Sequence, residues 1–167
     1  MDIWKNFNHH YSDLYRFTRR MLCNHEGAED VTQETMLRFA RDKAGKLKGE
    51  SARKWLFAVA RNLCISQLRH KANHGEIRLD EHVETRSSNP NPSEKALSNE
   101  RTRLIEKAVG KLPEDMREVI ILREYEGMNY KEISGIIGCP VGTVRSRLAR
   151  ARMELHKQLA PFMEGKL

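Results

Sequence analysis

The sequence predicts an all-α protein: two small helical domains joined by a flexible linker, the C-terminal one a helix-turn-helix. Three observations carry this expectation. Apolar residues recur every three or four positions on both sides of the middle of the chain, the period of an amphipathic helix. No alternating run of Val, Ile or Thr lasts beyond three or four residues, so nothing reads as a strand. Between the two helical blocks, from His74 to Ser98, the chain turns polar, with Ser87-Ser88-Asn89-Pro90-Asn91-Pro92 at its centre.

In the first block, residues 1–72, the positions Ile3, Phe7, Leu14, Phe17, Met21 and Leu22 step out one helix. A second, over 28–41, sets Ala28, Val31, Thr35 and Phe39 on one side. It crowds Glu29, Asp30, Gln33 and Glu34 into its opening turns, where the helix dipole favours negative charge. Gly45 and Gly49 break the pattern, so 44–51 reads as a basic loop before a third helix marked by Leu56, Val59, Ala60, Leu63 and Leu68. The linker is assigned to 73–98. Pro90 and Pro92 lack backbone donors and push Asn89 and Asn91 away from helical geometry, while Ser93 can cap a helix running to about Gly110. In the second domain, residues 99–167, that helix is lined by Leu97, Leu104, Ile105 and Val109. Leu112-Pro113-Glu114-Asp115 starts the next, with Met116, Val119, Ile120, Leu122 and the stem of Arg123 on its buried side and Gly127 at its end. Asn129 with Glu132 forms a capping box that opens a short helix to Ile137; Gly138 supplies the turn, and a last helix spans about 141–159. Each flank of about 70 residues is expected to fold around its own core, near the lower limit for an autonomous domain.

Composition narrows the class. Of 167 residues, 39% are apolar and 32% charged, a balance that suits a folded domain and not a disordered tail. No run of about 18 apolar residues occurs, so no membrane span is expected, and Met1-Asp2-Ile3-Trp4-Lys5 has none of the pattern of a secretory signal. The cysteines Cys23, Cys64 and Cys139 are odd in number and far apart, which suits core packing in a reducing cytoplasm. Thirty Lys and Arg against 23 Asp and Glu leave +7. Residues 1–71 carry 14 basic and 8 acidic groups, 72–99 carry 3 and 5, and 100–167 carry 13 and 10. Two basic blocks around a mildly acidic connector suggest two separate contacts with a polyanion, although charge alone does not separate nucleic acid from an anionic membrane.

From Tyr130 to Arg152 the spacing is that of a helix-turn-helix. Ser134 is small where two helices approach, Gly138 sits at the turn, and Ile133, Ile137, Val144 and Leu148 make a small core. The second helix carries Thr143, Arg145, Ser146, Arg147, Arg150 and Arg152. Its first turns suit base edges in a major groove and its later arginines suit phosphates; a solvated basic face is the alternative.

Four ordered stretches then resemble the extracytoplasmic-function sigma factors of bacterial RNA polymerase. They are residues 11–22 (YSDLYRFTRRML), 28–35 (AEDVTQET), 55–63 (WLFAVARNL) with Leu68-Arg69, and 112–147, from Leu-Pro-Glu through Tyr130-Lys-Glu-Ile133 to Gly142-Thr-Val-Arg-Ser-Arg147. The resemblance implies roles. Glu29, Asp30, Gln33 and Glu34 would meet the coiled coil of the largest subunit of core RNA polymerase; a dipole-stabilised helix start is the alternative. Lys46, Lys48, Trp55, Arg61, Asn62 and Arg69 would handle the melted minus-ten element, an amide reading a base edge and basic groups following the strand; Trp55 can equally be a core residue. Arg123, Lys131, Thr143, Arg145, Ser146, Arg147, Ala149 and Arg150 would serve the minus-thirty-five element. Ala149 departs from relatives that carry an aromatic there, so promoter preference is expected to differ. The resemblance further implies contact with the polymerase flap, promoter DNA and an anti-sigma partner.

Catalytic and metal-binding groupings are not expected. His9 and His10 point to different helix faces, His70 and His74 lack a third ligand, and neither a phosphate loop nor Gly-x-Ser-x-Gly occurs. No cofactor is implied. The competing reading is a stand-alone helix-turn-helix regulator whose N-terminal block senses a ligand or dimerises.

Overall fold

The computed structural model describes residues 3–43, 45–75 and 92–163, with side chains from 10 onward in the first helix and from 99 onward in the fourth. Seven α-helices are present among the described residues: α1 (Ile3–Leu22), α2 (His25–Asp42), α3 (Gly49–Asn73), α4 (Pro92–Gly110), α5 (Glu114–Ile120), α6 (Tyr130–Ile137) and α7 (Val141–Met163). No strand occurs among the described residues. The all-α expectation holds. The expected linker lies outside the described residues from 76 to 91, as do the side chains of Ile3, Phe7, Ser93 and Leu97. Helix α4 already covers 92–98, the last part of that linker, and α3 begins at Gly49, inside the expected loop.

The N-terminal three helices close around Leu14, Phe17, Met21, Leu56 and Phe57, all essentially without solvent contact. The Phe17 and Phe57 rings meet edge to face with centroids 5.3 Å apart. Helices α1 and α2 are joined by polar groups that satisfy one another inside: Thr18 Oγ1 lies 2.9 Å from Thr32 Oγ1, and Thr32 Oγ1 donates to the Ala28 carbonyl at 2.6 Å. Asn24 starts α2 by accepting from the Gly27 N–H at 2.7 Å. A Cβ at Gly27 would stand 2.8 Å from Gln67 Oε1, so glycine there lets the start of α2 sit against α3.

In the C-terminal domain the run from Glu118 to Leu122 is buried without a break, more than one helical face can hold. Two features allow it. Helix α5 is wedged against α7, α4 and α1, and it passes into a π-helical turn, Ile121–Tyr125, where the Glu126 N–H reaches back to the Ile121 carbonyl at 3.1 Å. The sequence reading missed this turn and the burial of Ile121 and Glu118. Helix α6 opens with the expected capping box: Asn129 Oδ1 accepts from the Glu132 N–H and the Glu132 carboxylate from the Asn129 N–H. Gly138 ends it at φ 76°, left-handed as a turn glycine should be. Helix α7 runs four residues past the expected end, through Pro161.

The two domains are not separate bodies. Their buried side chains form one continuous cluster, because α1 lies against α4, α5 and the π-helical turn while α3 lies against α6. Long side chains complete the join. Arg117 donates to the Met21 carbonyl across the interface and to the Gly110 carbonyl behind it, each at 2.6 Å. The Arg20 guanidinium lies 4.0 Å from the centre of the Tyr125 ring, a cation–π contact. Two self-contained cores were expected; the structure shows them fused.

Phe57→Ala is expected to lower the unfolding free energy by about 3–5 kcal/mol, and Asn129→Ala by about 1 kcal/mol through loss of the cap. Urea titration followed by circular dichroism measures both.

Candidate nucleic-acid interface

Helix α7 is built as a two-sided element. Val144, Leu148 and Ala151 are fully buried against α5 and α6. On the opposite side Arg145, Ser146, Ala149 and Arg150 are exposed and, one turn apart in pairs, form one stripe. The turn that aims it is tied by Ser134 Oγ donating to the Cys139 carbonyl at 2.6 Å. Within the stripe, Ser146 Oγ donates to the Thr143 carbonyl at 3.0 Å, and Arg145 lies 5.8 Å from the centre of the Tyr130 ring. Thr143 is half-buried and Lys131 is exposed on α6. Arg123 points back into its own domain, donating to the Met128 carbonyl at 2.8 Å. Arg147 also turns inward, to Glu118 at 3.1 Å and Asp115 at 3.7 Å. The structure therefore brings together Arg145, Ser146, Ala149 and Arg150, with Arg147 on the other side of the helix.

On α2, the face holding Ala28, Val31, Thr32, Thr35 and Met36 is buried. The reverse face carries the acids: Asp30, Gln33 and Glu34 are exposed beside Leu37, itself 66% exposed. Glu29 is partly covered and lies 3.6 Å from His25, while Glu34 accepts from Arg38 Nε at 2.6 Å. An acidic stripe with one exposed leucine is the result.

On α3 a cleft of about 440 Å³ is lined by Arg61, Asn62, Ile65, Ser66, Arg69, His70 and Asn73. Its walls offer guanidinium, amide and hydroxyl groups around one aliphatic floor, chemistry that suits a base and its phosphate. Trp55 stands two turns earlier, half-buried, its ring centroid 5.7 Å from that of Phe39. Lys46 and Lys48 are exposed in the preceding loop.

One residue the sequence reading passed over ties these surfaces together. Glu118 on α5 has no solvent exposure. Its carboxylate accepts from Arg61 Nε at 2.6 Å and Arg61 Nη2 at 3.2 Å, and from Arg147 Nη1 at 3.1 Å. Burial raises its pKa above the ordinary carboxylate value, and the Arg61 and Arg147 charges pull against that shift. The available signal was an acid set between Arg117 and the apolar run Val119–Leu122, which needs a partner if it is buried.

Comparison with known proteins assigns both halves. The family model for Sigma-70 region 2 matches residues 7–74, and that for Sigma-70, region 4, matches residues 102–155. The RNA polymerase sigma-H factor of Pseudomonas aeruginosa is 31% identical over 86% of this chain and 79% of its own. The ECF RNA polymerase sigma-E factor of Haemophilus influenzae is 36% identical over 80% and 75%. The chain belongs to the extracytoplasmic-function sigma factors. The ECF RNA polymerase sigma factor SigE of Mycolicibacterium smegmatis is 30% identical over 96% of this chain, which spans 63% of that relative's length. Among solved structures, the sigma factor RpoE of Bartonella quintana, crystallised with the anti-sigma factor NepR, superposes with a TM-score of 0.72. It is 27% identical and the match covers 93% of this chain and 95% of that one. CnrH, in complex with the cytosolic domain of CnrY, shares the fold at a TM-score of 0.62 and 22% identity, over 98% and 88% of the two chains. The stand-alone regulator gives way: a sigma factor's region 2 fills the N-terminal domain, where that reading put a ligand-sensing or dimerising block. No helix among the described residues is long and apolar enough to cross a membrane.

The three thiols differ in environment. Cys64 is fully buried and desolvation pushes its pKa far up, whereas Cys23 and Cys139 are half-buried, and all three are free. A thiol reagent should therefore label Cys23 and Cys139 in the folded chain and Cys64 only after denaturation; mass mapping of the labelled peptides checks it.

Proposed function

We propose that this chain is an alternative sigma factor that joins core bacterial RNA polymerase, directs it to a bipartite promoter and helps open the upstream edge of the bubble. The observation that supports this most is the pairing, on one chain of the family, of an acidic α2 stripe with a basic α7 stripe, each backed by a buried face. Asp30, Gln33 and Glu34, flanked by Glu29, would dock on cationic side chains of the polymerase coiled coil, with Leu37 adding apolar contact at the centre. The α3 cleft would take the melted minus-ten strand: Asn62 on a base edge, Arg61 and Arg69 on phosphates, and Lys46 and Lys48 following the backbone. Trp55 would brace the loop against Phe39 rather than stack on a base. In the minus-thirty-five element, Arg145 and Ser146 would read base edges near the start of α7 and Arg150 would hold phosphate. The Ala149 methyl can pack only on a thymine methyl or on nothing. Arg123, Lys131 and Thr143 stand beside that surface. The proposed bounds are residues 1–72 for polymerase and minus-ten and 99–167 for minus-thirty-five and the polymerase flap, although α4 already begins at Pro92.

The chain would act in the cytoplasm and supply no catalytic group of its own, the polymerase doing the chemistry. Because the Bartonella quintana neighbour was solved with its anti-sigma factor, we expect an anti-sigma protein to hold this chain as well.

Run-off transcription with purified core polymerase on the promoter of the chain's own gene tests this. Initiation should depend on the protein. It should be lost in Asp30→Lys/Glu34→Lys, whose promoter contacts are intact, and fall about 10- to 100-fold for each of Arg145→Ala and Arg150→Ala. Core-independent tight binding with no initiation would overturn the proposal. A second measurement follows from the exposed loop: Lys46→Ala and Lys48→Ala should each reduce the slope of log K against log salt by about 0.7–1, without changing sequence preference.

A further inference from the structure

Two histidines at the end of α3 have no part in the function described above. His70 and His74 are exposed, and their rings are stacked, with centroids 4.1 Å apart and planes 14° from parallel. The stack is held from the backbone. His74 Nδ1 donates to the His70 carbonyl at 2.9 Å, and the His74 backbone N–H reaches the same carbonyl at 3.2 Å, so ring and main chain of His74 are pinned to one point. Parallel rings aim their in-plane lone pairs side by side and not at a common centre. No group of three His, Cys, Asp or Glu that could hold a metal occurs among the described residues. What the pair presents is a ring face.

Its place on the helix decides what that face can do. Asn62, Ser66, His70 and His74 follow one another at intervals of four along α3 and so lie in one row. The first three line the cleft of about 440 Å³, and His74 does not. His74 therefore backs one face of His70, and the other looks along the row over Ser66, whose side chain is short and exposed. Asn62 stands about 12 Å away along the axis, at about 1.5 Å per residue. A base read by its amide and a base lying on His70 are thus different bases.

We propose that His70, backed by His74, is a stacking platform for an unpaired nucleobase, a second base site in the α3 cleft beside the one at Asn62. This rests on the sigma-factor reading of that cleft. An imidazole face accepts any base, because every base has a π-face. The backing ring holds His70 ready, so less side-chain freedom is lost when the base arrives. Arg69 can hold the adjoining phosphate: it is 70% exposed, and its pair with Glu114, at 3.7 Å, is long and open to solvent. Aromatic face and basic group together are the usual makings of a single-strand site. The platform adds affinity at no cost in sequence tolerance, whereas the Asn62 amide discriminates.

The test uses the chain assembled on core polymerase and single-stranded oligonucleotides covering the minus-ten region of its own promoter, with 2-aminopurine placed at each position in turn. Stacking quenches this base, so one position should darken on binding in wild type. That quenching should vanish in His70→Ala and persist in His70→Phe. Affinity should fall about tenfold in His70→Ala and stay within about twofold of wild type in His70→Phe. His74→Ala, which removes only the backing ring, should cost about threefold. His70→Lys, a cation without a ring, should behave as His70→Ala. Quenching that ignores His70, or binding restored by His70→Lys and not by His70→Phe, would overturn the platform; the second result would make His70 a phosphate contact. Oligonucleotide binding indifferent to both Asn62→Ala and Arg61→Ala would instead overturn the reading of the cleft, and the platform with it.

Discussion

The arrangement of this chain turns on one buried carboxylate. Glu118 sits at the point where α3 of the first domain, α5 and α7 of the second converge, and its two oxygens are shared between Arg61 and Arg147. Taking an acid out of water costs several kcal/mol before any partner is counted, about what two well-placed guanidiniums return. A packed aliphatic side chain could fill the same space without that cost. The charge therefore adds little to cohesion. What it adds is dependence on the opposite charge: the join is strong where Arg61 has nothing else to bind and weak where another anion competes for it.

Local chemistry made most of the second domain readable. The capping box at Asn129, the left-handed Gly138 and the small Ser134 each act within a few residues, and each stands where its spacing put it. Helix existence was legible from the apolar period for the same reason. The docking of the domains was not, because its contacts are made by long side chains to partners far along the sequence: Arg61 to Glu118 and Arg117 to the Met21 carbonyl, 96 residues away. No periodicity encodes such a pair. Nor does it encode the π-helical turn, whose extra residue per turn breaks the period used to find helices.

Arg147 shows a different limit. The sequence reading grouped it with Arg145 and Arg150 by composition. On a helix it follows Arg145 by about 200° at about 100° per residue, and it shares the stripe of Val144, Leu148 and Ala151, which are buried. The period placed it inside; what composition could not supply was a reason for a cation to be there. That reason is Glu118, itself standing at the head of the apolar run Val119–Leu122. Each residue accounts for the other, and neither does so alone.

The acidic stripe on α2 is open to solvent whatever the domain junction does. Asp30, Gln33 and Glu34 are exposed, and α2 packs on α1 and α3. A partner can therefore meet that stripe while Arg61 is still held by Glu118. Of the residues proposed for the minus-ten strand, Arg61 alone is tied up in a buried pair, while Lys46, Lys48, Asn62 and Arg69 stay exposed. The junction thus engages one group of that surface and leaves the others to solvent, and a change at Glu118 reaches the surface through Arg61 alone.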